Sequence, residues 1–428
     1  MLVPSSVGDH ETDIRGLYLF PIGATKIVDG EGIYARDADG NEFIDCASGT
    51  FNLSLGYRHP TTVQAIRDNA DRLLHVTSSF QTDPVNGLVE RLVEVSPANL
   101  CRVHVKVSGG STANEGAIKM AMRRTGGRDV ISLFRSHHGQ TLATTAISGN
   151  AFRREPFPDV PISRLIVPDP YCRRCFYGQE PDSCGTMCVD RIDDFIEFAG
   201  SGTTACVMVE PISGNGGNVV PPEGYLQRLL AFCGDRSIPL IFDEIQTGIG
   251  RTGSMFAAQH FGVEPDIITT GKGLGGGAQV AAILTTDAFD EMETHNLSFT
   301  YGANVLAAAV ACATLDEISR PGFLDSVKAT GHHLLGCLQD LATRHRQVDD
   351  VRGVGLMIGF EMVDEAGGCD AALANEIVRK GPQYGLLLRS SQYGRGNVIK
   401  IRPPLTLTLD EADLICDRLD QLFQSTLS

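Results

Sequence analysis

The 428-residue sequence has no long hydrophobic run. Its longest small and apolar stretch, Ala303 to Leu315, is too short to cross a bilayer. The opening residues, MLVPSSVGDHETDIRG, hold no apolar core of the kind a secretory leader needs, so a cytoplasmic location is expected. Positive charge is also in short supply: 36 basic residues face 52 acidic ones, a net charge of −16. That balance argues against nucleic acid and anionic membrane as main partners. No internal repeat and no low-complexity segment occurs. What the chain does have is core material, 42% hydrophobic residues, which argues against disorder; its length suggests two or three domains.

The segment 27–45, IVDGEGIYARDADGNEFID, reads as short strands joined by Gly/Asp turns. A helical stretch, TTVQAIRDNADRLLHV, follows GYRHP. From about 84 to 290 helices alternate with apolar strands. Strands are expected at 102–108, 129–134, 164–168, 204–210, 239–244 and 265–270, and helices at 84–95, 113–125, 190–200, 223–235 and 254–261. This rhythm predicts an α/β fold with a mostly parallel sheet covered by helices on both faces. The C-terminal part reads as a smaller α+β region ending in an amphipathic helix that Asp410 would cap. The expected division is 1–65 and 321–428 as two parts of a small domain around a large domain at 66–320, the latter carrying a Cys-rich insertion at 168–191.

Three segments carry candidate chemistry. In SGGSTANEGAIKMA, 108–121, a strand enters a Gly-rich turn and then a helix, whose free N–H groups and dipole favour a phosphate, with Ser111 and Thr112 able to add hydroxyl donors. In IFDEIQTGIGRTG, 241–253, Asp243 ends an apolar strand and is placed to keep a ring nitrogen protonated. In DIITTGKGLGGG, 266–277, Lys272 sits in a tight turn after another strand, where desolvation makes an amine nucleophilic. A phosphate anchor, a strand-end carboxylate and a Schiff-base lysine together are what pyridoxal phosphate requires.

The joined segments FDEIQTGIGRTG and GKGLGGG resemble those of the class III (omega) aminotransferases. So do GIYARDADGNEFID, LGYRHP, SGGSTANE, HHG, VEPISGNGG, SFTYGANVLAAA and RPPLTLT, in order along nearly the whole chain. The resemblance implies a fold-type-I transferase, a homodimer with active sites at the subunit interface. It also implies roles. Lys272 carries the cofactor and moves the proton, and Asp243 pairs with the ring nitrogen. Gln246 bonds the phenolic oxygen, Gly110 and Ser111 hold the phosphate, and Thr300 reaches the phosphate of the neighbouring subunit. Glu210 supports the hydrogen bonds beside the cofactor.

The sequence departs from the family at three places. Where members commonly have an aromatic residue before His-Gly, this chain has His137, which can stack as a flat ring and is expected to titrate near neutrality. The glutamate that gates a substrate-binding arginine in the ornithine and GABA branches is Asn215, and that arginine's place is taken by Lys400. Arg402 follows two residues later, so in a regular strand both cations share one face. Carboxylate recognition is thereby weakened, or moved to Arg402. The donor is left open among ω-amines, amino acids and amino sugars, with a keto acid, ketone or aldehyde as acceptor. The resemblance implies an aminotransferase; a racemase, epimerase or aminomutase on the same scaffold is the alternative, with His137 as a second base.

Twelve cysteines occur, four of them as Cys172-x2-Cys175-x8-Cys184-x3-Cys188. That spacing suits four thiolates around a tetrahedral ion, either zinc or an iron–sulfur cluster.

Overall fold

A strand of a parallel sheet covered on both faces must be apolar at nearly every position. The computed structural model, which describes residues 25–157, 161–289, 291–293, 295–391 and 395–427, shows such strands at the centre of the chain. β1 (Ile27–Glu31), β2 (Tyr34–Asp37) and β3 (Glu42–Asp45) form an N-terminal meander. Then follow β4 (Arg102–His104), β5 (Asp129–Leu133), β6 (Arg164–Val167), β7 (Thr204–Val209), β8 (Leu240–Asp243), β9 (Ile267–Thr270) and β10 (Ala282–Thr285). Every residue of β5, β8, β9 and β10 is buried. These seven strands make one sheet in the order β4-β10-β9-β8-β7-β5-β6. The five strands from β9 to β6 run parallel, and β10 lies antiparallel to both β9 and β4. The expected α/β architecture with a mostly parallel sheet is therefore present. The antiparallel β10 is an addition, because AILTT reads as another apolar run with nothing in its composition to set its direction.

The C-terminal region contributes β11 (Val348–Val354), β12 (Met357–Met362), β13 (Leu386–Leu387), β14 (Arg389–Ser390) and β15 (Val398–Ile401). Four of them form a sheet in the order β11-β12-β15-β14, while β13 leaves it to pair in parallel with β3. Strands from the two ends of the described chain thus share one sheet. The last helix, Leu409–Thr426, is capped by Thr408, which accepts from Glu411 N while the Glu411 carboxylate returns to Thr408 N. Asp410 therefore does not cap the helix: it lies in the first turn, and the Thr-x-x-Glu box satisfies two backbone N–H groups where a lone Asp satisfies fewer. The helix expected after GYRHP starts at Pro60 and stops at Ala70, before Leu73 and Leu74, which are exposed. Among the described residues no helix is long and apolar enough to cross a membrane.

Candidate active site

In an open parallel sheet, ligands gather outside the carboxyl ends of the strands. Here three neighbouring strands end in chemistry. β7 runs out at Val209 into Glu210, β8 ends on Asp243, and β9 leads through Thr270 and Gly271 to Lys272. Beyond the end of β5 lie His137 and His138, and opposite them starts the helix Gly110–Thr125. A cavity of about 210 Å³ is enclosed among these ends, lined by Gly110, Ser111, His137, Glu210, Asp243, Gln246 and Lys272 together with Asn114, His138, Gly139 and Ile245.

Lys272 is partly buried and adopts φ +39°, a left-handed backbone that is strained for a residue with a Cβ. Burial pushes its amine down to about 8, against the raising pull of Asp243 and Glu210 and with a further lowering by Arg402. An amine near that value is partly neutral at physiological pH and so is a usable nucleophile. The sign for stability follows. The folded value lies below the unfolded one of 10.5, so between the two the unfolded chain binds the extra proton and stability rises with pH. The cofactor-free protein is expected to gain up to about 3 kcal/mol from this group between about pH 7 and about pH 10. Denaturant unfolding of wild type and Lys272→Met across that range checks it. The rise attributable to Lys272 should be missing in the variant, and equal slopes would refute the assignment.

Asp243 is the most heavily engaged carboxylate of the cavity. Its Oδ2 accepts from Asn114 Nδ2 at 2.8 Å and from His138 Nδ1 at 2.8 Å, and its Oδ1 accepts from Ile245 N at 3.1 Å. Asn114 in turn accepts from Thr269 Oγ1 at 2.6 Å and donates to the His138 carbonyl at 2.7 Å. The helix, the His-His loop and two strands are thus fastened through one amide. Neither Asn114 nor His138 stands out as a site residue in the sequence. The signal was the Asn inside STANE and the second His of HHG, but a polar residue within a helix reads as solvated until the fold turns it inward.

Glu210 holds the opposite wall. Its Oε1 accepts from His137 N at 2.9 Å and its Oε2 from Gly214 N at 3.0 Å. Burial and then the neighbouring Asp243 push its carboxyl up. Gly214 must lack a side chain, because a Cβ there would stand 2.5 Å from Gln246 Oε1. Gly139 is likewise obligatory: at φ +145° a Cβ would meet Thr144 Oγ1 at 2.4 Å and Ser111 Oγ at 2.5 Å. This leaves the start of the helix open toward the cavity. His137 lines the cavity, but burial, then Lys272 and Arg153, push its imidazole down to about 3. The expected pH handle near neutrality is thus corrected: in this environment the ring stays uncharged over the ordinary pH range.

Lys400, on β15, and Arg402, just past its end, are both buried. The Arg402 guanidinium lies 3.4 Å from the Phe51 ring centre, donates to Gln246 Oε1 and reaches the Gly214 carbonyl at 3.5 Å. Lys400 Nζ stands 5.6 Å from the same ring. Asn215, in the gate position, is buried with its Nδ2 unpartnered among the described residues. Thr300 is exposed and lies outside the cavity.

The four clustered cysteines surround a separate cavity of about 20 Å³, which shares no lining residue with that of Lys272. None of the four is in a disulfide, and no three of their sulfurs come within 4.8 Å of one another, so the expected tetrahedral ligand set is not drawn together. The spacing permits convergence, while the turn Cys172–Arg174 and the short helix Met187–Asp190 hold the thiols around the cavity rim. The insertion docks on the C-terminal sheet through Arg174 and Glu361 at 3.2 Å, and through Arg173 and Asp349 at 2.5 Å.

The chemistry of the Lys272 cavity fits pyridoxal phosphate. Backbone N–H groups at a helix start lie at one wall, a carboxylate already surrounded by donors at another, and a partly neutral amine between them. The description aminotransferase class-III matches residues 22–423. An acetylornithine aminotransferase of Methanothermobacter thermautotrophicus is 36% identical over 91% of this chain and 91% of its own length. A leucine/methionine racemase of Thermococcus litoralis is 34% identical over 90% of this chain and 87% of its own. Among solved structures, an amine transaminase from an uncultivated Pseudomonas species in its PLP-bound form superposes with a TM-score of 0.89. It is 29% identical, covering 97% of this chain and 100% of that one.

Proposed function

The chain belongs to the class III aminotransferases, and on that premise we propose that its amino transfer is carried by Lys272 at the end of β9, with Asp243 and Glu210 on the adjoining strand ends. The observation that carries this reading is the meeting of Lys272 with two strand-end carboxylates, Asp243 and Glu210, on one cavity. When bound, pyridoxal phosphate supplies the carbonyl carbon that receives the amino group and the ring that draws electrons from the substrate. The chain's own residues do the rest. Lys272 Nζ holds the cofactor and moves the proton at the substrate α-carbon. Asp243 keeps the ring nitrogen protonated. Gln246, whose Oε1 accepts from Arg402 and so leaves its Nε2 as a donor, would hold the phenolic oxygen. Gly110 and Ser111 take the phosphate, Glu210 fixes the His137 backbone, and the uncharged His137 ring packs on the cofactor. The same reading makes the enzyme a cytoplasmic homodimer in which Thr300 completes the partner's phosphate site.

Lys400 and Arg402 are the proposed substrate-binding groups; neither lines the cavity in this structure, and burial and then Arg402 push the Lys400 amine down, so an anionic substrate group has to reach them and restore the Lys400 charge. Among the described residues no carboxylate forms an ion pair with either, so an anionic substrate group is the partner they lack. Racemisation is the second reading, favoured by the similarity to the Thermococcus racemase. It needs a proton carrier opposite Lys272, and a His137 ring held uncharged to about pH 3 does not supply that proton. The test is an amine donor added alone to the purified holoenzyme. Stoichiometric conversion of the cofactor to its aminated form, with release of the donor's keto product, is expected. Exchange of the α-hydrogen for solvent deuterium without conversion would establish the isomerase instead. Run with donors bearing and lacking a carboxylate, the same assay identifies what Lys400 and Arg402 select.

At the four-cysteine insertion we keep zinc or an iron–sulfur cluster as the proposed occupant, supported by the shared cavity and requiring the loop to contract around the ion. Metal analysis and a visible spectrum of anaerobically purified protein decide it; no metal and four free thiols would dismiss it.

A further inference from the structure

The long helix Phe323–Arg344 and the terminal helix Leu409–Thr426 pack against each other on the outer side of the C-terminal region. One end of their contact is closed by Asp420, which accepts from Arg344 and from His345 at 2.6 Å. Farther along, a different cluster bridges the same helices. His333 and Cys337 stand four residues apart on one helix, so they share a face. Asp413 and Cys416 stand three apart on the other and turn toward them. His333 Nε2 lies 2.6 Å from Asp413 Oδ1. Cys337 Sγ is 3.6 Å from His333 Nε2 and 3.8 Å from Asp413 Oδ1. Cys416 lies on the same side of its helix as Asp413, and its thiol interacts electrostatically with that of Cys337. Among the described residues His333, Cys337 and Asp413 are the only three such groups whose ligand atoms all lie within 4.8 Å of one another.

We propose that His333, Cys337 and Asp413 form a three-residue binding site for a thiophilic divalent cation, zinc above all, with solvent as the remaining ligand, which clips the terminal helix to the long helix. In a tetrahedral zinc site the sulfur-to-nitrogen and sulfur-to-oxygen separations are both about 3.5 Å, close to those found here. Only the His333–Asp413 pair stands too close, since ligands on one ion sit about 3.3 Å apart. An ion entering between them lengthens that contact in place of the shared proton. The route is open, because the His333 side chain is 38% and that of Asp413 56% exposed. The donor set of one imidazole, one carboxylate and one sulfur selects zinc over magnesium or calcium, which prefer all-oxygen shells. Binding displaces the thiol proton of Cys337 and forms one metal–sulfur bond, with no change of oxidation state. The acidic side chains of Asp340 and Asp417 act on these thiols and add a negative field at the entrance.

The test uses full-length, tag-free, cofactor-loaded enzyme treated with a chelator and titrated with cobalt(II), then with zinc. Wild type should take up one more equivalent per chain than Cys337→Ser or Asp413→Asn, whatever the insertion cysteines bind. That equivalent should carry a thiolate-to-cobalt charge-transfer band, which zinc abolishes. Zinc should also raise the unfolding midpoint of wild type and not that of either variant. Amino transfer at saturating donor should be unchanged in all three. Equal stoichiometry in wild type and in both variants would overturn the proposal and reduce the cluster to a surface His333–Asp413 ion pair. Circular dichroism confirms that the variants are folded, and Asp413→Asn alone carries the comparison if the serine variant is not.

Discussion

Lys272→Ala is expected to abolish amino transfer, lowering turnover roughly 10³-fold or more, while the protein remains folded. Among the described residues Lys272 is the only lysine lining the cavity, and the buried Lys400 stands near Phe51 and does not line it. No second lysine amine of the cavity is therefore available to form the Schiff base. The substitution also removes a group whose burial opposes its charge, since its amine is held at about 8. Deleting it at neutral pH relieves that opposition, so the cofactor-free variant should unfold no more easily than wild type. This separates loss of chemistry from loss of fold. Lys272→Arg should fail as completely: a guanidinium stays protonated and supplies no lone pair. Two measurements check the prediction. Steady-state assays with a donor and a keto acid should show the loss in kcat. Borohydride treatment of wild type should leave the cofactor mass on the peptide bearing Lys272 and nowhere else. An alanine variant that keeps turning over would place the anchor at another residue.

The ends of β7, β8 and β9 were readable because parallel strands are apolar runs with abrupt ends. In TACVMVE, PLIFDE and PDIITTGK, the first charged side chain after each run falls at the ligand crevice, apart from Glu244, which is buried beneath it capping Ala257 and Ala258. The two-residue strand period also put Lys400 and Arg402 on one face, and both are buried there. What depends on burial or on distant partners was not readable. His137 was expected to titrate because a sequence carries no measure of desolvation, and desolvation is the largest influence on that ring. Asn114 and His138 acquire their roles only when the Gly110–Thr125 helix and the loop after β5 close over Asp243. The four-cysteine spacing describes what the loop can reach, and the structure describes where it rests. Asp410 and Thr408 were distinguishable in principle, since Thr-x-x-Glu was legible; the error lay in weighing one acidic residue above a two-bond motif.

Asp243→Asn is expected to lower turnover by about 10²- to 10⁴-fold and to leave cofactor affinity much less affected. The carboxylate accepts three hydrogen bonds at once, two on Oδ2 and one on Oδ1. An amide of the same shape offers one oxygen and one NH₂. Whichever way it turns, an NH₂ meets either the Ile245 N–H or the pair from Asn114 and His138, so at least one buried donor loses its acceptor. Such an orphan costs about 1–3 kcal/mol of stability. The greater cost falls on the reaction, because a neutral amide cannot hold a ring nitrogen protonated. Gly110 and Ser111 are untouched, so the phosphate end should still bind and the defect should appear in kcat more than in cofactor affinity. A second signature follows from the electrostatics. Asp243 is the strongest influence raising the Lys272 amine, so its neutralisation should shift the alkaline-going limb of the cofactor-free enzyme's titration to lower pH. A merely structural role would lower stability without moving that limb. His138→Phe, which removes one donor to Asp243 but keeps its charge, should reproduce a small part of the turnover loss and none of that shift in the same direction. Asp243→Asn with full turnover and an unmoved limb would separate this carboxylate from the chemistry.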